Sequence, residues 1–252
     1  MNSDTLLAAL DLPTASRVDQ RVPKKLLLEN GARTAANKRQ ITDGIEELFW
    51  AATLKPTTIG VREYRDDARQ YLEIAVLCLT LRAGANARRL TELVHRAIPY
   101  PVLLLTAQGD HAGMSAMHKR WSQGEAGKTV LDGDVITVDW DDERDAGFRV
   151  AFCEALALGR QPRDSLYALY QGWLDTLLAL HAARVTHTFM GATNAEQASA
   201  RSDALHECSR LHTEIARLRT EAARERQMSR QITLNLEIKR AEARLAATMN
   251  KL

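Results

Sequence analysis

Apolar positions along this chain switch between helical and strand periods, and each switch predicts a boundary between elements. Residues 1–25 hold Pro13, Pro23 and one short amphipathic stretch, Thr5 to Leu10, the pattern of a leader. From Asn37, apolar Ile41, Ile45, Leu48 and Ala52 recur at i, i+4, i+7 and i+11, which predicts a helix ended by Pro56. Thr57 to Val61 is β-branched and predicts a short strand. Tyr71 to Arg82 sets Leu72, Ile74, Val76 and Cys78 against a second face that is apolar from Ala75 onward, as in a central strand covered on both sides. Asn86 to Ala97 returns to helical spacing through Leu90, Leu93 and Val94, and Pro99 stops it. Strand-like segments follow at Tyr100 to Thr106, Met114 to Trp121 and Val135 to Trp140, with turns at Gly109 and Gly133. The order αββαβββ predicts a mixed α+β domain over residues 26–147.

The period is helical from Phe148 onward, giving a helical region over 148–192. Leu166, Leu169, Tyr170, Trp173, Leu174, Leu177 and Leu178 predict a helix from Asp164 to Val185. Tyr170, Trp173 and Leu177 share its core face, and Gly172 among them points to a close approach by another backbone. No proline follows Pro162 and no glycine follows Gly191, so residues 193–252 predict one long coiled-coil helix. Uninterrupted, it would reach about 80 Å and need a partner helix. Ala204, Cys208, Leu211, Ile215, Leu218 and Ala222 form a seam with spacings of four and three. Polar Glu225 and Ser229 interrupt it, and Leu234, Ile238, Ala241, Leu245, Thr248 and Leu252 resume in a shifted register. The slip over Ala223 to Gln231 predicts a stutter or hinge. Leu211, Ile215, Leu218, Leu234, Ile238 and Leu245 are the expected association residues, pairing with a second copy or docking on a partner.

Composition narrows the class. The chain has 252 residues, 45% hydrophobic and 26% charged, which excludes wholesale disorder and a disulfide-stapled miniprotein. No apolar run approaches the roughly 18–20 residues needed to cross a bilayer, and no secretory signal is visible. Cys78, Cys153 and Cys208, far apart in apolar segments, predict reduced thiols of a cytoplasmic protein. A net charge of +2 neither requires nor excludes nucleic acid, although residues 199–252 carry 11 Lys and Arg against 7 Asp and Glu.

Candidate chemistry adds little. Asp139, Asp141, Asp142, Glu143 and Asp145 follow a strand, but neighbours on one loop seldom converge on a cation. A nuclease of the restriction type needs an acid on one strand and acid-x-lysine on the next. Asp66 or Asp67 with Glu73 comes nearest, and Ala75 stands where the lysine is required, so at most a degenerate nuclease-like domain is expected. His111 and His118 fall on opposite strand faces, His181 and His187 share no face, nor do His206 and His212, and no phosphate-binding glycine loop is present. No catalytic, metal or cofactor residue is therefore predicted. Arg210, Arg217 and Arg224 recur every seven residues with Glu207, Glu214 and Glu221 interleaved, the pattern of a solvated coiled-coil flank. Arg226, Arg230, Arg240 and Arg244 are the expected nucleic-acid or partner contacts.

Several phrases match a known family: IPYPVLLL (Ile98 to Leu105), LYALYQGWLDTLLALHAARVT (Leu166 to Thr186) and RQMSRQITLNLEIKRAEARL (Arg226 to Leu245), with LKPTTIGV (Leu54 to Val61) upstream. In these the chain resembles the bacterial family of domain of unknown function 4391 over nearly its whole length. The resemblance brings no catalytic residues. It implies company: a Snf2-type helicase and a DNA methyltransferase in phage-defence loci. The expected function is thus a non-catalytic adaptor, and the alternative is a module that binds DNA itself.

Overall fold

The computed structural model describes residues 1–32, 34–125, 127–191 and 194–252. These fall into two units, residues 1–177 and residues 178–252, with the division inside a helix rather than at 147. The expected boundary at 192/193 lies outside the described residues.

In the first unit, α1 (Ser3–Ala9), β1 (Arg17–Arg21), α2 (Lys24–Asn30), α3 (Ala35–Gly44) and β2 (Ile45–Leu54) come first. Then follow α4 (Pro56–Ile59), β3 (Tyr64–Arg65), β4 (Gln70–Tyr71), β5 (Ile74–Leu81), α5 (Ala87–Ala97), β6 (Val102–Gln108) and β7 (His111–Ala116). β8 (Lys119–Trp121), β9 (Thr129–Leu131), β10 (Ile136–Trp140), α6 (Arg149–Leu156) and the first part of α7 (Leu166–Thr186) complete it. A six-stranded sheet runs β1-β2-β5-β6-β7-β10, antiparallel except for β5 against β6, which α5 connects. Two-stranded ladders β3-β4 and β8-β9 lie outside it. β5 is central and buried on both faces, as its pattern predicts. One face carries Ala75, Leu77, Leu79 and Leu81 into a core with Leu27, Ile41, Leu90, Leu93 and Val94 of α2, α3 and α5. α1 packs on β6 and β7 and on α6.

The mixed α+β class stands; several elements differ from the pattern. The supposed leader is part of the fold, for Leu6 and Leu10 are buried and β1 pairs with β2. β1 is an edge strand with solvated Arg17, Asp19 and Arg21, so it has no alternation to detect. The helix expected through Ala52 stops at Gly44, where a Cβ would meet Leu90 Cδ1 at 2.7 Å. Ile45, Leu48 and Ala52 belong to β2, whose register shifts between Ile45 and Glu47 and again between Trp50 and Ala52. The first bulge adds a residue and leaves Ile45 and Leu48 in one core, so a bulged strand imitates helical spacing. Thr57 to Val61 is not a strand. Pro56 opens α4 at its first position and Gly60 closes it at φ +66°, two helix signals outweighed on paper by the β-branched residues.

The second unit holds the rest of α7, then α8 (Ala195–Arg224) and α9 (Met228–Met249). The single rod is thereby corrected: the chain breaks at 225–227, within the predicted slip, and α9 returns along α8. The two pack antiparallel, with Arg219 bonded to Glu242 (2.7 Å) and Glu207 to Arg244 (2.9 Å) across the pair. Neither glycine nor proline makes the break. Glu225 takes extended backbone (ψ 130°), and its carboxylate accepts from the amides of Arg226 (2.8 Å) and Gln227 (2.9 Å).

Candidate functional site

The acids that suggested a metal site are engaged locally. Asp66 accepts from the Tyr64 hydroxyl (2.7 Å) and from the amides of Ala68 (2.8 Å) and Arg69 (2.5 Å), closing the β3-β4 turn. The Tyr64 bond is the main reason its carboxyl lies below the usual range. Asp67 is exposed, and Glu73 pairs with Lys55 at 3.1 Å. In the acidic run, Asp142 accepts from the amino terminus, Trp140 Nε1 (2.7 Å) and Arg149 (2.6 Å), and Asp145 from the amide of Asp141 (3.0 Å) and from Arg144. Among the described residues no three His, Cys, Asp or Glu side chains are grouped to hold a metal ion.

Four of the five tyrosines meet instead around His118, a convergence the sequence analysis missed. Tyr167 stacks between Tyr64 (4.8 Å) and His118 (4.9 Å), while Tyr71 and Tyr170 meet the imidazole at steeper angles. Asp175 can only accept, so Gln171 Nε2 donates to it (2.8 Å), which turns Gln171 Oε1 toward His118 Nε2 (2.7 Å). His118 therefore donates from Nε2, and its Nδ1 accepts from the Tyr71 hydroxyl at 2.5 Å. Burial holds the imidazole below its ordinary range, so it is neutral at pH 7. Arg69 lies 5.8 Å from the Tyr167 ring centre and binds Asp132 (2.5 Å). This chain of bonds joins residues up to 104 positions apart, and no local spacing announces it.

Lys119 and His95 are the other buried titratable groups here. Lys119 Nζ donates to the carbonyls of His95 and Ile98 at the C-terminal end of α5, where positive charge is favoured. His95 Nε2 lies 2.9 Å from Ser115 Oγ, and burial pushes its imidazole down to about 3. On α7, Tyr170 and Trp173 are buried as expected: the Tyr170 hydroxyl accepts from Met117 N (2.8 Å), and Trp173 Nε1 donates to Leu156 O (2.9 Å). Gly172 does mark a close approach, but by side chains rather than another backbone: a Cβ there would lie 2.6 Å from Pro162 Cδ and from Gln161 Oε1.

The hairpin rearranges the expected contact residues. Leu211, Ile215, Leu218 and Ile238 form one core with Ala222 and Ala241, and half-buried Leu234 and Leu245 pack against it. The two registers thus face one another within the chain. Of the arginines, Arg244 binds Glu207, and Arg230 lies 3.8 Å from Glu225. Arg226 and Arg240 are exposed and form no ion pair among the described residues. Arg210 binds Glu207 and Glu214, and Arg217 binds Glu221, the solvated flank expected of that series. Its bond to Arg210, supported by Arg244, holds the Glu207 carboxyl down at about 2. An open depression of about 450 Å³ lies at the turn, lined by Arg224, Glu225, Arg230 and Leu234 among others.

A family model described as a domain of unknown function (DUF4391) matches residues 10–245. No curated protein and no solved structure matches the chain.

Proposed function

The chain belongs to the DUF4391 family, and from that premise we propose that it is a non-catalytic subunit of a bacterial anti-phage defence complex, working in the cytoplasm. It joins a Snf2-type helicase to a DNA methyltransferase through its C-terminal hairpin. The observation that carries this reading is the hairpin itself. A 30-residue helix and a 22-residue helix close an apolar seam between them and still leave large apolar side chains exposed on α9. Such side chains favour burial against another surface. No helix among the described residues is long and apolar enough to cross a membrane. The test is affinity purification of the tagged full chain from its native host, with phage plating on the same strain. Recovery of the helicase and the methyltransferase supports the adaptor, and a chain recovered without either during infection contradicts it.

A second reading, direct DNA contact, draws on the exposed Arg226 and Arg240. Binding of this kind would be electrostatic and indifferent to sequence.

A further inference from the structure

α9 carries two apolar stripes on opposite sides. Leu234, Ile238, Ala241 and Leu245 face α8. Met228, Ile232 and Leu236, spaced i, i+4 and i+8, are 73%, 55% and 51% exposed. At 100° per residue they centre about 180° from Ala241, the outward side of the hairpin. Exposed Ala243 and Ala247 extend the stripe and leave room for a close neighbour.

The charges beside the stripe choose its occupant. Lys239 falls on it and Arg240 beside it, both exposed and neither in an ion pair among the described residues. The helix has two acids. Glu242 is bound to Arg219 across the hairpin, and Glu237 lies about 140° round from Ile232. A second copy would set two such basic faces together with no carboxylate on the stripe to neutralise them. A phosphate backbone would satisfy the cations and leave three large apolar side chains in water. We propose that this outward face of α9 docks an acidic amphipathic helix of a partner protein, whose apolar row covers Met228, Ile232 and Leu236 and whose flanking carboxylates meet Lys239 and Arg240. The proposal rests on the adaptor reading and deepens it by naming the chemistry of the partner.

The experiment uses the full chain and three designed helical peptides of about 20 residues, matched to α9. The first has a leucine row with glutamate flanks, the second the same row with lysine flanks, and the third glutamate flanks around serine. Light scattering gives the mass of the chain, and fluorescence anisotropy gives the affinities, with duplex DNA as competitor. The expected result is a monomer that binds the first peptide at least about tenfold more tightly than the others. Ile232→Ser/Leu236→Ser should lose that binding. Lys239→Glu/Arg240→Glu should transfer the preference to the lysine-flanked peptide, a gain that a misfolded hairpin could not show. The proposal is overturned if the peptides bind alike or not at all, if the charge exchange moves no preference, if DNA displaces the peptide, or if a doubled mass disappears in Ile232→Ser. No helicase or methyltransferase takes part, so failure here leaves the purification experiment to judge the adaptor, and the reverse holds too.

Discussion

Lys119 shows how one buried group couples the sheet to pH. Its ammonium reaches the end of α5 from a position only 4% exposed, and burial pushes it down to about 7 from its ordinary 10.5. Between those values the unfolded chain holds a proton that the native chain has shed, so stability rises with pH across this window. The slope from this group approaches about 1.4 kcal/mol per pH unit. Below pH 7 both states are protonated and the native state bears the full cost of the buried charge. Lys119→Met removes this contribution along with two hydrogen bonds. Urea unfolding at a series of pH values from 7 to 10 should therefore show wild type gaining on the variant as pH rises. A constant difference would mean that Lys119 titrates alike in both states. At this scale the sequence was legible only where packing alone decides, as at Tyr170 and Trp173. The bonds from Tyr71 to His118 to Gln171 were hidden because the fold, not spacing, brings them together.

Several helices and strands follow their period in the sequence, but the strand expected over Met114 to Trp121 is split between β7 in the main sheet and β8 in a separate ladder. α5 follows its period most clearly: Asn86 caps it, accepting from Arg89 N at 3.0 Å, and Leu90, Leu93, Val94 and Ala97 are buried as their spacing demands. β2 failed because its bulges replace period two with steps that fit a helix. The C-terminal helices were half legible. Seam residues and the slip were visible, but a break made by Glu225 rather than by glycine or proline gave no sign that the two registers would close on each other. That closure makes the stripes on α9 unequal, and the inequality is measurable. Leu218 is 1% exposed in the seam, so Leu218→Ala should cost about 2–5 kcal/mol through lost burial and a cavity. Amide exchange should quicken along α8 and α9. Leu236, on the outward face, should change stability by no more than about 0.5 kcal/mol when replaced by alanine. Equal costs would mean that Leu218 and Leu236 are buried alike, against the division into an inward and an outward face.

For the whole molecule, charge separates along the chain where hydropathy does not. Residues 178–252 carry 12 Lys and Arg against 8 Asp and Glu, so a chain of net charge +2 holds an acidic first unit and a basic second one. Net charge attracts a polyanion at long range, but counterion release counts only cations that can reach a phosphate. Arg244 is committed to Glu207, and Arg230 has Glu225 beside it, so moving either onto DNA sacrifices an existing pair. Arg226 and Arg240 carry no such cost. If the hairpin meets DNA, Arg226→Ala/Arg240→Ala should reduce the slope of log K against log salt by about 1.8, following roughly 0.9 per phosphate contact. Arg230→Ala/Arg244→Ala should reduce it by less, because these two arginines are already paired with carboxylates and release fewer counterions at a phosphate. Anisotropy titrations of one duplex from about 0.05 to 0.2 M salt separate the two outcomes, since affinity falls steeply over that range when several phosphates are engaged. Equal losses would show that the ion pairs do not withhold their arginines. Tight binding that persists near 0.5 M salt would remove the electrostatic account altogether and require contacts to the bases.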